Sequence, residues 1–181
     1  MIVLASNSST RASLLENYGV VFLQRGCEFN EESIKTNDPV QFVYQAALGK
    51  YEACERELGN NLPILAADTV VSAKGKILRK ASCKDEARKI LLNQSGEKVS
   101  IITCMKYVSS KLTLLDISAT DYYFKEFDRD DLEKYLDSGD WKGKAGACMV
   151  EGFCRPYIEK VYGHESTAMG LCVEKLLPYL G

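Results

Sequence analysis

A continuous apolar run, Leu62–Ala67, leads directly into Asp68 and Thr69. Such a run predicts a strand that is buried on both faces, as in parallel sheets covered by helices. An aspartate at the carboxyl end of a buried strand lies where open α/β sheets place their ligand sites. A buried carboxylate without a partner is costly, so Asp68 requires a cation or hydrogen-bond donors. The alternative is a structural aspartate that caps a neighbouring turn.

The remaining hydrophobic pattern favours a mixed α/β fold. Pro39–Leu58 has apolar residues at every third or fourth position, and Asp38 provides an N-cap for this helix. Val99–Val108 and Leu112–Phe124 are rich in β-branched and aromatic residues, which is typical of paired antiparallel strands. Shorter elements are predicted at Ile2–Ala5, Thr10–Tyr18, Val20–Leu23, Lys84–Leu92, Asp128–Asp137, Pro156–Tyr162 and Met169–Leu180. Strands that alternate with helices, together with a hairpin, indicate an α/β class with a mixed sheet.

Size and charge exclude several functional classes. The 181 residues are enough for one domain with a sizeable core, and the net charge of -2 does not favour binding of nucleic acid. No run reaches the roughly 20 apolar residues of a membrane span, and the N-terminal segment lacks the features of a signal peptide. The 7 cysteines contain no Cys-x-x-Cys pair, so we expect a cytoplasmic chain without a zinc site or a disulfide framework.

The segment Leu4–Arg11 is a strand followed by a small-residue turn and the start of a helix. Helix N-termini expose unpaired N–H groups that favour phosphate. Ser6 and Ser8 add hydroxyl groups, and Arg11 adds a cation that can form two parallel hydrogen bonds. The alternative is an ordinary serine N-cap beside an exposed arginine.

Acidic and basic residues elsewhere suggest a site for a metal and a polyphosphate. Glu31 and Glu32 follow the second predicted strand, and Glu32 with Asp68 would supply the two carboxylates that Mg²⁺ often uses together with substrate phosphates. An exposed acidic run is otherwise a solvated loop. Three lysines in distinctive settings could neutralise a triphosphate, although each alone is more simply a surface residue: Lys50, Lys80 and Lys144.

Other nucleotide signatures do not occur. The chain has neither a Gly-x4-Gly-Lys-Ser/Thr loop nor a Gly-x-Gly-x-x-Gly sequence, so it is not a Walker-type NTPase. His164 is the single histidine, and an esterase built on it is an alternative hypothesis that no nucleophile motif supports.

Taken in order, these segments resemble the Maf family, which comprises septum formation inhibitor homologues and nucleoside triphosphate pyrophosphatases. The resemblance runs nearly end to end. It rests on Leu4–Arg11, Glu31–Ser33, Ala47–Lys50, Ala67–Val71, Gly75–Lys80, Lys144–Ala147 with Glu151-Gly152, and Gly170-Leu171.

The resemblance implies a single Maf-like domain over residues 1–181, with an elongated mixed β-sheet flanked by helices and two lobes around a nucleotide cleft (a Maf/ITPase-like fold). It further implies cleavage of nucleoside triphosphates between the α and β phosphates with Mg²⁺ or Mn²⁺. Asp68 would accept a proton, and Glu32 with Asp68 would hold the metal. The phosphates would be surrounded by Ser6, Ser8, Arg11, Lys50, Lys80 and Lys144. A homodimer and a link to arrest of cell division are also implied.

The sequence leaves the preferred nucleobase of the substrate open. Thr69 matches the family branch that acts on dTTP and UTP, whereas Glu151-Gly152 resembles the branch that acts on 7-methyl-GTP, where glutamine is usual. A glutamate accepts hydrogen bonds only, which favours a donor-rich base edge. The family's proline positions are occupied by Ser9 and Ala81, and the first arginine of its pair by Thr10. These changes motivate an alternative, a nucleotide-binding regulator of septum formation that does not hydrolyse its ligand.

Overall fold

The structure is a computed structural model that describes residues 1–180. The chain forms two compact units. The first unit comprises Met1–Thr69, Ile102–Ala119 and the chain from His164 onward. The second unit comprises Val70–Ile101 and Thr120–Gly163. The strands are β1 (Ile2–Leu4), β2 (Phe22–Gln24), β3 (Ile64–Ala73), β4 (Lys76–Leu78), β5 (Lys98–Val108), β6 (Thr113–Phe124) and β7 (Ile158–Tyr162). The α-helices are α1 (Ser9–Asn17), α2 (Pro39–Leu58), α3 (Lys84–Leu92), α4 (Arg129–Ser138), α5 (Glu165–Ala168) and α6 (Val173–Leu176).

The seven strands form one sheet in the order β2-β1-β3-β5-β6-β7, and β4 pairs with β3. Strand β1 runs parallel to both β2 and β3, whereas the β3–β4 and β6–β7 pairs are antiparallel. The predicted α/β class with a mixed sheet is therefore confirmed. Among residues 1–180, no helix combines the length and the hydropathy of a membrane span.

Helices cover both faces of the sheet in the first unit. Ile64 and Ala66 pack in a cluster with Tyr51 of α2, whereas Leu65 packs in another with Leu15 of α1. Because neighbouring side chains of a strand point to opposite faces, β3 is buried on both sides. The interpretation of its apolar run as a doubly covered strand is correct.

The long helix α2 has the bounds predicted from its periodicity. The carboxylate of Asp38 accepts a hydrogen bond from the backbone N–H of Gln41 at 2.7 Å, and Pro39 occupies the first turn. A proline is tolerated there because the first N–H groups of a helix have no intrahelical acceptor. Helix α3 also begins and ends where it was predicted.

The C-terminal segment differs from the prediction of one helix over Met169–Leu180. It contains α6 and a short 3-10 helix, Leu177–Tyr179, and the separate helix α5 ends just before it at Ala168. Gly170 has φ 108°, a left-handed conformation that interrupts a right-handed helix, and Pro178 cannot donate a backbone hydrogen bond. The apolar spacing is helical, but the backbone at Gly170 is not.

Aromatic and ionic contacts hold the second unit together. Arg88 of α3 donates to both carboxylate oxygens of Glu133 in α4, at 2.9 and 2.7 Å. Tyr135 of α4 stacks on Phe153 with ring centroids 4.5 Å apart, and Phe127 packs edge-on against Phe153. These contacts fix α4 against the loop that precedes β7.

Five of the seven cysteines are free thiols, and the other two form a disulfide. Cys148 and Cys154 are joined by a disulfide, with their Cα atoms 6.4 Å apart. Cys54, Cys104 and Cys172 are buried and free. The single disulfide departs from the expectation of a chain without a disulfide framework. A turn brings these two residues together across a sequence separation of 6, which the Cys-x-x-Cys pattern does not include.

Candidate active site

Asp68 lies midway along the ten-residue strand β3, not at its end as predicted. The strand continues because Val71–Ala73 pair with β4. It is the neighbouring strand that ends: β1 pairs with Ile64 and Leu65 and stops at Leu4. Asp68 therefore lies beyond the end of β1, and it is only 6% exposed.

Lys50 of α2 reaches this buried carboxylate. Its ammonium lies 2.6 Å from Oδ1 of Asp68 and 2.6 Å from Oε1 of Glu31. Burial raises the pKa of Asp68, and the nearby charge of Lys50 opposes that rise. The predicted need for a cation beside Asp68 is met by Lys50, one of the three lysines predicted to lie near the phosphates.

Glu31, not Glu32, belongs to this cluster. Both residues lie in a 3-10 helix, Glu31–Ser33, that begins after Asn30, whose side chain accepts from the N–H of Glu32 at 3.0 Å. A 3-10 helix has three residues per turn, so adjacent side chains diverge by about 120°. The carboxylate of Glu32 makes no hydrogen bond or ion pair with a described residue, whereas that of Glu31 pairs with Lys50. The role of Glu32 as a metal ligand stays a prediction.

The serine-rich turn between β1 and α1 is organised as predicted for a helix N-terminus. Ser8 caps α1 by accepting from the N–H of Arg11 at 3.3 Å. The hydroxyl of Ser6 in turn accepts from the N–H of Ser8 at 3.2 Å. The turn therefore combines a cap with a second oriented hydroxyl, and both predicted serines lie in it.

Arg11 is buried, which the alternative of an exposed arginine did not anticipate. Its guanidinium donates to the carbonyl of Gly170 at 2.9 Å, to Oγ of Ser6 at 3.1 Å and to Oγ1 of Thr69 at 3.0 Å. Burial lowers the pKa of Arg11, while the negative charge of Asp68 raises it. The arginine thus ties the serine-rich turn to β3 and to the C-terminal segment.

Thr69 points to the opposite face of β3 from Asp68. Asp68 faces α2 through Lys50, whereas Thr69 faces α1 through Arg11. The hydroxyl of Thr69 also lies 2.8 Å from that of Thr103 in β5. Two adjacent residues predicted for one site therefore have separate surroundings.

A cavity of about 330 Å³ borders Lys50 and Glu31. Ser6, Asn7 and Phe29 are among its other lining residues. Its volume is at the lower end of the range of small-molecule sites. The carboxylate cluster and the serine-rich turn therefore share an open space within the first unit.

Lys80 and the segment around Lys144 are neighbours in the second unit. Lys80 forms an isolated antiparallel bridge with Ala145, and the N–H of Gly146 donates to the carbonyl of Arg79 at 3.2 Å. These backbone contacts place the two predicted lysines in adjacent segments.

Two buried side chains hold the segment that carries Lys144. Gln94 donates to the carbonyl of Gly146 at 2.6 Å, and the hydroxyl of Tyr135 donates to the carbonyl of Ala147 at 3.0 Å. Neither residue was predicted. Both bind backbone carbonyl groups, which every residue has, so no pattern of side chains in the sequence indicates these contacts. Glu151 is exposed, in the loop closed by the disulfide.

The carboxylates of Asp68 and Glu31 could bind a divalent cation if substrate phosphates supplied further ligands. Within residues 1–180 no group of three or more His, Cys, Asp or Glu residues could hold a metal. Asp68 and Glu31 nevertheless converge on one point, the ammonium of Lys50. One or two carboxylates completed by substrate phosphates are a usual Mg²⁺ site, so the donor set fits.

The surroundings of His164 do not form a hydrolase triad. Nδ1 of His164 lies 3.7 Å from Glu174, and Ser166 donates its hydroxyl proton to the same carboxylate. In a serine hydrolase the histidine lies between the serine and the acid. Here the glutamate occupies the middle position, which argues against the esterase hypothesis.

A family model described as Maf-like protein matches residues 1–181. The chain belongs to the Maf family. This Maf chain is 54% identical over 178 residues to a nucleoside triphosphate pyrophosphatase of a Nitratiruptor species, covering 97% of the chain and 96% of the relative. A protein of the same name from Helicobacter pylori is 44% identical over 176 residues, covering 97% of the chain and 93% of the relative.

A third relative of the Maf chain, also named nucleoside triphosphate pyrophosphatase, comes from Campylobacter jejuni subsp. jejuni. It is 36% identical over 183 residues, covering 99% of the chain and 100% of the relative. Among solved structures, the Staphylococcus aureus Ham1 protein matches with a TM-score of 0.54 and 13% identity, covering 99% of this chain and 97% of that one. At that identity the likeness concerns the fold alone, and it agrees with the predicted fold class.

Proposed function

We propose that this Maf chain hydrolyses nucleoside triphosphates to a nucleoside monophosphate and pyrophosphate. The observation that carries the proposal is the cluster in which Lys50 bridges Asp68 and Glu31 beside an open cavity. The names of the three relatives support it.

In this proposal Asp68 is the general base. Its raised pKa makes it a stronger base than an exposed aspartate. The positive charge of Lys50 favours the ionised carboxylate that can accept a proton. Water attacks the α phosphorus, the bond from that phosphorus to the bridging oxygen breaks, and pyrophosphate departs. The proton of the water passes to a carboxylate oxygen of Asp68.

The serine-rich turn is proposed to bind the phosphates. The start of α1 and the hydroxyls of Ser6 and Ser8 favour an anion there. Arg11 has two further N–H groups that donate to no described residue, one on each terminal nitrogen, and these suit a phosphate. Developing charge on the departing pyrophosphate would be stabilised by the same groups.

A Mg²⁺ or Mn²⁺ ion would be held by Asp68 and Glu31 together with the phosphates; when bound, it would lower the pKa of the attacking water and neutralise phosphate charge. Lys80, Lys144 and Glu151 remain sequence-based predictions as substrate contacts, and Thr69 and Glu151 leave the base open between dTTP/UTP and 7-methyl-GTP. The homodimer and the link to cell division also remain predictions.

The test is a panel of ordinary and modified triphosphates, incubated with Mg²⁺, with Mn²⁺ or with a chelator. We expect monophosphate and pyrophosphate in equal amounts, resolved by chromatography and by ³¹P NMR. The variant Asp68→Asn keeps the shape of the base and is expected to lose at least about a hundredfold in kcat. Release of orthophosphate and a diphosphate instead would refute the proposed bond cleavage, and tight binding without turnover would favour the regulator hypothesis.

A further inference from the structure

Thr103 of β5 is a buried polar residue that the proposed reaction does not use. It is 1% exposed, and its flanking residues Ile102 and Cys104 are buried and apolar. Its hydroxyl donates to the carbonyl of Thr167 at 2.8 Å and lies 2.8 Å from the hydroxyl of Thr69. Such a buried hydroxyl is expected to have a specific partner, and here it has two.

The chemistry of these groups fixes the direction of every hydrogen bond. A carbonyl oxygen only accepts, so the single proton of Thr103 goes to Thr167. Thr69 must then donate to Thr103, which leaves the oxygen of Thr69 as an acceptor for Arg11. The result is a one-way chain from a cation through two hydroxyls to a carbonyl, in which each bond polarises the next.

This chain of hydrogen bonds helps to determine where the guanidinium of Arg11 lies. Its Nη2 is held by Thr69, its Nη1 by Ser6 and its Nε by the carbonyl of Gly170. Gly170 leaves space for this contact, because a Cβ on that residue would lie only 3.0 Å from Nε of Arg11. Loss of the Thr103 hydroxyl would free the proton of Thr69 and loosen one of these three attachments.

We propose that Thr103 is a positioning residue that, through Thr69, orients Arg11 so that its two remaining N–H groups face the phosphates of the substrate. The proposal rests on the proposed function, in which the turn that Arg11 supports binds the triphosphate. Thr103 itself is 1% exposed and acts on Arg11 only through Thr69.

The variant Thr103→Val removes the hydroxyl at nearly constant volume, and Thr103→Ser keeps it as the matched control. Because Arg11 contacts phosphate in bound substrate and transition state alike, we expect a rise of about tenfold in KM with a change in kcat below about threefold. The inhibition constant of pyrophosphate is expected to rise by the same factor. Thr103→Ser is expected to keep both values within about twofold of wild type.

A purely structural role would lower the melting temperature of Thr103→Val without changing KM or pyrophosphate inhibition in the folded enzyme, and that result would overturn the proposal. If Thr103→Val does not fold, Thr69→Val interrupts the same chain one link closer to Arg11 and must give the same pair of rises. Wild-type values in a folded Thr69→Val would equally overturn it. A wild-type enzyme that releases no pyrophosphate would instead refute the proposed function, before any variant is compared.

Discussion

Lys50→Met removes the ammonium that lies 2.6 Å from both Asp68 and Glu31, while keeping an unbranched side chain in α2. Removal of one partner from a buried ion pair typically costs about 3–5 kcal/mol in unfolding free energy. The side chain of Asp68 is 8% exposed and that of Lys50 is 21% exposed, so the pair is not fully buried. We therefore expect a loss near the lower end, about 3 kcal/mol at pH 8.

The loss should depend on pH. Burial raises the pKa of Asp68, and Lys50 lowers it, so the variant raises that pKa further. A carboxyl group whose folded pKa exceeds its unfolded pKa binds more protons when folded, so stability falls as pH rises between the two values. The deficit of the variant is thus smaller at pH 5 than at pH 8, by up to about 1.4 kcal/mol for each unit of additional pKa shift.

Urea unfolding followed by circular dichroism at pH 5, 6, 7 and 8 measures this deficit. Lys50→Arg keeps the charge, and Lys111→Met removes an exposed lysine from the β5–β6 turn, where we expect a change within about 0.5 kcal/mol. On an Asp68→Asn background, Lys50→Met should lose its pH dependence. An equal deficit at pH 5 and pH 8 would refute the assignment of the effect to the charge of Asp68.

Three further outcomes follow from the geometry. Glu31→Gln is expected to lower kcat by at least about tenfold and Glu32→Gln by less than about threefold; equal losses in steady-state assays would contradict the choice of Glu31. Gly170→Ala places a Cβ 3.0 Å from Arg11 at φ 108°, and should destabilise the protein by about 1–3 kcal/mol, seen as a lower melting temperature. Asp128→Ala removes acceptors for two N–H groups at the start of α4 and should cost about 1 kcal/mol in urea unfolding, without a change in KM.

Local patterns were sufficient to predict most of the fold. Helix α2 has the predicted bounds because its hydrophobic periodicity and the N-cap at Asp38 mark its extent. The C-terminal segment was mispredicted because its apolar spacing is helical while the backbone at Gly170 is left-handed. Strand β3 was predicted to end too early, since its length depends on pairing with β4 and not on its own composition.

The candidate site was predictable where a residue is costly to bury alone. Asp68 was identified by that argument, which also required a cation beside it, and the structure places Lys50 there at 2.6 Å. That Glu31 is the glutamate in contact with Lys50 could not be predicted from sequence, because it depends on the 3-10 geometry of the loop. Thr103 has no sequence signal at all, since a single threonine in an apolar strand is common.

The alternation of Asp68 and Thr69 limits how this protein can change in length. A shift of one residue in the pairing of β3 would turn Thr69 towards Lys50 and Asp68 towards Arg11, exchanging the contents of the two faces. An insertion or deletion between Ile64 and Asp68 would therefore disable both arrangements in one event. Insertions that this enzyme tolerates should fall before Leu62 or in the turn at Lys74-Gly75. At these places they do not change which face of β3 Asp68 and Thr69 point to.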